Sequence, residues 1–402
     1  MNWRAWLAVL VATLGYFVDI YDLILFSVVR EASLTDLGFS PAERLRYGVL
    51  LIDLQMVGML LGGLLWGILG DKRGRLSVLF GSILTYSLAT LFNGFAKGIW
   101  DYSVWRFIAG IGLAGELGVG VTLVAELMPA ALRGWGTTLI ATIGIFGAVV
   151  ASLVGDRFHW RTAYYIGGSL GFGLLFLRLG VGESELFTRF RQQAHVPAGD
   201  FFQIFRRTER LSRYLFIILT GVPIWYVVGI LVTFSPDLFR EIGLTVRASQ
   251  AILYTYIGLS IGDLLAGILS QVLHSRKQPI LIWLSFSTVL AILYNQLPFT
   301  APTRVYWFCL WLGLFSGYWA VLITSAAEQF GTNLRATVTT SVPNWIRGSL
   351  VLSTLLWQAI QSFTSLRTSA LLSGIIIYGI ALFSATRLRE TYGKSLDFLE
   401  RD

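Results

Sequence analysis

Runs of about 20 apolar residues recur twelve times along the chain, near 5–29, 47–70, 77–96, 102–127, 135–155, 162–181, 214–236, 248–273, 279–297, 305–328, 337–362 and 368–387. About 20 such residues are what a helix needs to cross the hydrocarbon core of a bilayer. In hydrocarbon every backbone N–H and C=O must be satisfied within its own segment, so repeated runs of this length leave helices as the available structure. Only 13% of residues are charged, against about 25% in soluble domains. The chain therefore reads as an all-α, polytopic membrane protein. Its first run carries Asp19 and Asp22 and lacks a small-residue cleavage pattern, so it is expected to stay as helix one and not to act as a signal peptide.

The net charge of +8 lies in the short loops between the runs, which makes it a topology signal and excludes nucleic-acid binding as its meaning. One side, with both termini and the loops at 71–76, 128–134, 182–213, 274–278 and 329–336, holds 18 Lys and Arg; the other side holds 10. The expected orientation places both termini in the cytoplasm, in a plasma (inner) membrane. Arg106, Arg178 and Arg347 fall within spans, and Arg178, near a span end, is expected to snorkel. A single cysteine, Cys309, excludes an intramolecular disulfide framework and a cysteine metal site, and His159, His195 and His274 fall in loops. No metal or cofactor is expected.

The one long connection, 182–213, separates six spans from six. Asp200 is a plausible N-cap for a short interfacial helix in which Phe201, Phe202, Ile204, Phe205 and Leu211 alternate with Arg206, Arg207, Arg210 and Arg213. The expected organisation is an N-terminal bundle over 1–181, a cytoplasmic linker over 182–213, and a C-terminal bundle with a short tail over 214–402. An internal repeat supports the halves. GMLLGGLLWGILGD at 58–71 and GLSIGDLLAGILSQ at 258–271 agree at seven of fourteen positions, including Gly58/Gly258, Gly62/Gly262 and Gly67/Gly267. AELMPAALRG at 125–134 and AEQFGTNLRA at 327–336 place Glu126 before Arg133 as Glu328 stands before Arg335. Glycines four apart let membrane helices approach closely, so helices two and eight should each press against a neighbour.

These features together resemble the major facilitator superfamily over the whole chain. GILGDKRGR at 67–75 is similar to that superfamily's signature loop between helices two and three, departing at Leu76, where a further basic residue is usual. The resemblance implies twelve transmembrane helices in two pseudo-symmetric bundles and an alternating-access transporter, not an enzyme. A carboxylate and cations on a tight turn can pair with helix ends and opposite charges of a neighbouring bundle in one conformation only. Asp71, Arg75, Glu126, Arg133, Glu328 and Arg335 are the expected gating set, with Glu183 and the tail segment RETYGK at 389–394 as further partners. RFIAGIGLAGE at 106–116 looks like the helix-four pattern of metabolite:proton symporters and organic-ion transporters, in which Arg106 holds helix four against helix one. Asp19-Ile20-Tyr21-Asp22 resembles the helix-one acidic signature of aromatic-acid and sialate or lactate proton symporters, with Ile20 in place of the usual glycine.

Charged groups at the bilayer centre cost about 2.5 to 3.5 kcal/mol each, so those that persist face protein or water. Asp19 and Asp22 are neighbours on one helical face, where like charges favour uptake of a proton by one of them. Glu116 is read either as a further proton site or as the partner of an Arg. Asp53 is read as an outer-vestibule residue and Asp263, which occupies the place of Gly63 in the repeat, as a gate or packing feature. Arg347 is the sharpest substrate clue. In organic-ion transporters the corresponding position is Arg in carriers of anions and acidic in carriers of cations, and a guanidinium grips a carboxylate through two parallel hydrogen bonds. Trp225, Tyr226, Tyr318, Trp319, Asn344 and Trp345 are expected beside it in an aromatic-lined cavity. The resulting expectation is a monomeric, proton-coupled symporter of a small organic anion. A sugar, zwitterion or drug carrier, a uniporter and a transport-dead sensor are the other readings these residues leave open.

Overall fold

The computed structural model describes residues 3–73, 75–116, 133–178, 203–393 and 400. Among the described residues there is no strand. The longer helices among the described residues are, in order, α1 Trp3–Asp36, α2 Pro41–Arg73, α3 Arg75–Asn93, α4 Ile99–Leu113, α5 Arg133–Arg157, α6 Trp160–Arg178, α7 Thr208–Tyr226 with a π-helical continuation Val227–Val232, α8 Ala248–Val272, α9 Lys277–Gln296, α10 in halves Pro302–Ser316 and Trp319–Gln329, α11 in pieces Thr332–Gly348 and Leu350–Gln361, and α12 Leu366–Arg387. Seven described helices are long and apolar enough to cross a membrane. The expected span 102–127 is described only as far as Glu116.

The chain divides into two compact units, Met1–Asp200 and Phe201–Asp402, so the division falls inside the expected linker. Asp200, Phe201 and Phe202 lie outside the described residues. The interfacial helix expected after them is reduced to one turn, Gln203–Arg206, and α7 already begins at Thr208 instead of 214. Arg210 and Arg213 explain the difference. They do not line a polar interfacial face: Arg210 is buried and Arg213 partly buried on α7, where both guanidinium groups hold Glu400 at 3.0–3.2 Å. Arg213 also donates to the Gln329 carbonyl and lies over the Phe330 ring.

Close backbone approach explains the repeat. In the first unit α2 packs on α4, and a Cβ at Gly58 or Gly62 would collide with the carbonyls of Phe107 or Ile111. In the second unit α8 packs on α10, and Gly258 and Gly262 meet the carbonyls of Leu310 and Leu314 in the same way. An indole closes each contact, since Trp66 Nε1 donates to the Ile111 carbonyl at 2.6 Å and Trp283 Nε1 to the Leu314 carbonyl at 3.0 Å. Gly67 and Gly267, matched in sequence, have open space around them instead. Overpacking a tight site costs about 1–3 kcal/mol, whereas a substitution into open space stays within about 0.5 kcal/mol. Gly58→Ala and Gly258→Ala are thus expected to lower the melting temperature in detergent clearly, while Gly67→Ala and Gly267→Ala leave it unchanged or slightly raised. Equal shifts in all four variants would contradict this assignment of the glycines.

A second correspondence joins α1 and α6 to α7 and α12. The Tyr21 hydroxyl donates to the Ala163 carbonyl at 3.0 Å, and that of Tyr226 to the Ala370 carbonyl at 2.5 Å. Gly167 and Gly374 open the space that each phenol occupies. The α1–α5 and α7–α11 pairs, in contrast, fit in opposite senses. Gly144 and Gly147 on α5 admit Tyr16 and the α1 backbone, whereas Gly221 on α7 and Gly229 on the π-helical segment Val227–Val232 that follows it admit Ile346 and Leu350 of α11.

Candidate functional site

In the first unit the charged groups gather around α1. Asp19 and Asp22 are buried, and their spacing of three puts both on one face. The Tyr21 bond to α6 fixes the helix between them. A Cβ at Gly167 would lie 2.5 Å from Asp22 Oδ1, so this glycine lets α6 close over the carboxylate. Neither oxygen of Asp22 is hydrogen-bonded, although the Thr90 side chain of α3 faces it. The charges acting on Asp22 are Asp19 and Arg106. Arg106 donates to Gln55 Oε1 on α2, and its guanidinium lies 4.6 Å from the centre of the Phe26 ring on α1. It thus ties α4 to two helices, and Gln55 is a partner the sequence did not single out. Behind it, the hydroxyls of Tyr102 and Tyr164 bond at 2.7 Å. A buried carboxylate with unsatisfied oxygens is costly when ionised, and a proton removes that cost.

Glu116 belongs to the same neighbourhood but has its own partner. Its carboxylate is paired with Arg178, and both side chains are only 2% exposed. The snorkelling expected of Arg178 is therefore incorrect: α6 carries it inward, and Gly15 on α1 supplies the space, since a Cβ there would strike the pair. Of the two readings of Glu116, the structure places it as the partner of an Arg. Asp53 is only partly exposed on α2.

In the second unit Arg347 is 1% exposed on α11, with its guanidinium 6.0 Å from the centre of the Trp225 ring. Asn344, one turn earlier, is also buried and donates to the Thr340 carbonyl. The phenols expected beside Arg347 have other work. Tyr318 donates to the Thr220 carbonyl at 2.9 Å and Tyr226 to α12, so both hydroxyls serve helix packing. Trp319 is half-buried, and Trp345, 38% exposed, points away from the buried side of its helix.

Of the expected gating residues, Glu126 lies outside the described residues, as do the side chains of Asp71, Arg75, Arg133 and Arg335. Glu328 is described, and its carboxylate takes two hydrogen bonds from Arg276, at 3.2 and 3.0 Å, and one from Thr391 at 2.7 Å. Beside it Glu390 accepts from the Ser275 hydroxyl and from the N–H groups of Arg276, Thr391 and Tyr392. Burial opposes its charged form, but the Arg276 N–H, the Ser275 hydroxyl and the Tyr392 and Thr391 N–H groups outweigh burial and hold the carboxyl down at about 2. Two carboxylates thus clamp the α8–α9 turn to the end of α12. The tail was expected among the gating partners; the structure joins it to Arg276, which was not singled out.

An apolar groove of about 570 Å³ runs between α1 and α6, bordered by Leu14, Phe17, Val18, Tyr165 and Leu170. Among the described residues no charged side chain lines it, so these walls do not suit an ionised ligand. Residues 6–354 match the family model described as Major Facilitator Superfamily. The chain belongs to the Major Facilitator Superfamily. It is a multi-pass membrane transporter and not an enzyme. It is 29% identical to a Haemophilus influenzae protein assigned provisionally to metabolite transport, over 99% of both chains. It is also 29% identical to the niacin transporter NiaP of Acinetobacter baylyi, over 81% of this chain and 80% of that one. The crystal structure of a D-xylose-proton symporter superposes with a TM-score of 0.74 at 19% identity, covering 97% of this chain and 99% of the other. At that identity the likeness speaks for the fold alone, and the two-unit, twelve-helix facilitator architecture agrees with it.

Proposed function

We propose that this transporter carries a small organic anion together with protons, as a monomer in the inner membrane with both termini in the cytoplasm. The observation that carries the reading is Arg347, a guanidinium 1% exposed on a membrane helix and set near an indole. A buried cation is retained where an anion or fixed partner balances it, and a planar fork suits a carboxylate. The relative named as a niacin transporter supports an organic substrate of this kind. Asp22, with Asp19 beside it, is the proton carrier in this reading, and Glu116 is not, because Arg178 already balances it. Asp71, Arg75, Glu126, Arg133, Glu328 and Arg335 form the cytoplasmic latch, to which the clamp at Arg276 belongs.

Proteoliposome assays separate coupling from binding. Asp22→Asn is expected to abolish uphill accumulation driven by a proton gradient while counterflow exchange persists, because exchange moves no net proton. If both activities disappear together, Asp22 belongs to substrate binding or to folding. If both survive, the coupling carboxyl lies elsewhere.

A further inference from the structure

The second unit holds a buried carboxyl that no step above uses. Asp263 is the sixteenth of the 25 residues of α8 and is 8% exposed. It stands where the first half of the repeat has Gly63. Its Oδ1 accepts the Ala320 N–H at 3.1 Å, at the first turn of the second half of α10. This half-helix, Trp319–Gln329, has a free N-terminus because α10 breaks at Gly317 and Tyr318. Gly317 is needed at the break, since a Cβ there would lie 2.5 Å from the Asp263 nitrogen and 2.6 Å from the Leu259 carbonyl. The other oxygen, Oδ2, has no hydrogen-bond partner.

Only burial and the N–H groups of Ala320 and Trp319 act on this carboxyl, with no charged side chain among them. The elements packed on α8 explain why. Their nearest charge in sequence is Glu328, eight residues beyond Ala320 and about 12 Å further along the helix axis, and it is bound to Arg276. Lys277 of α9 donates to the Thr386 carbonyl, and Arg304 of α10 stands thirteen residues before Gly317, about 20 Å along the helix axis. Asp237 and Arg240 pair with each other before α8 begins. The Tyr318 hydroxyl is engaged with Thr220. A half-helix dipole favours the ionised form, but an ionised carboxylate with one unsolvated oxygen in apolar surroundings is disfavoured.

From this geometry we infer that Asp263 is a second proton-binding site, located in the C-terminal unit at the break of α10. The proton resides on Oδ2, and Oδ1 continues to accept from Ala320. Ionisation tightens the grip on the half-helix N-terminus and protonation loosens it, so proton occupancy biases the α10 break. This site is independent of the role proposed for Asp22.

The test is infrared spectroscopy of the full-length protein carrying isotope-labelled aspartate, in detergent without substrate and titrated with acid. The double variant Asp19→Asn/Asp22→Asn is expected to keep an isotope-shifted band of a protonated carboxyl at neutral pH, and adding Asp263→Asn removes it. A double variant without the band overturns the inference, as does a band that survives Asp263→Asn. So does a band abolished by sodium at constant pH, which would make Asp263 a cation ligand. If the Asp263→Asn variant does not fold, Asp263→Glu in the same double variant decides: only aspartate carries the label, so the isotope-shifted band is expected to disappear, and a band that persists overturns the inference. Loss of coupling in Asp22→Asn leaves this result untouched.

Discussion

Arg347→Ala is expected to bind organic anions hardly at all. Losing an ion pair of this kind in a water-poor site costs about 2 to 5 kcal/mol, which is about 30-fold to several thousand-fold in affinity. Arg347→Lys keeps the charge without the fork and should bind with intermediate strength. Calorimetric titration against a panel of organic acids, sugars and cations checks both variants, after each has shown wild-type monodispersity in detergent. Near wild-type affinity of folded Arg347→Ala for the best ligand would overturn the anion assignment, as would a best ligand that is a neutral sugar or a cation. The superfamily assignment would stand either way, because it rests on residues 6–354 as a whole.

The buried pair of Glu116 and Arg178 should show the largest stability effect. Removing one partner leaves a charge uncompensated, which costs about 3 to 5 kcal/mol, while replacing both by neutral groups of similar size is often close to neutral. Glu116→Gln and Arg178→Met are each expected to unfold at markedly lower temperature or denaturant concentration than wild type, and the double variant to recover most of the loss. Gly15→Ala should behave like the single variants, because its methyl group would enter the space the pair occupies. Additive losses in the double variant would mean that the two side chains do not depend on each other. Unimpaired proton-driven accumulation by the double variant would also separate Glu116 from coupling.

Much of the architecture was legible because its signals are local. Apolar runs mark the helices, and the offset of 200 between Gly58 and Gly258 exposed the two halves. The same offset did not reveal the Tyr21/Tyr226 correspondence, because the loops between spans differ in length and shift the register to 205. Arg178 was misjudged because nearness to a span end does not say which face of α6 it occupies. Tyr318 and Tyr226 were expected in a binding cavity, yet a phenol buried between helices is equally able to bond a neighbour's carbonyl, as both do.

By itself the sequence determined that the chain is helical, that it spans a membrane, that it is built of two related halves, and that Asp19 and Asp22 share a helical face. Length, hydropathy and a period of 3.6 residues are properties of a single segment, so a linear reading contains them. Only the tertiary structure decided that Glu116 is balanced by Arg178, that Glu328 meets Arg276, and that Asp263 sits at the broken end of α10. Each depends on the rotation and depth at which helices pack; Gly15 makes the space for the Glu116 and Arg178 pair, and Gly317 lets the α10 break approach Asp263. A charge in hydrocarbon must be balanced, and packing decides by what.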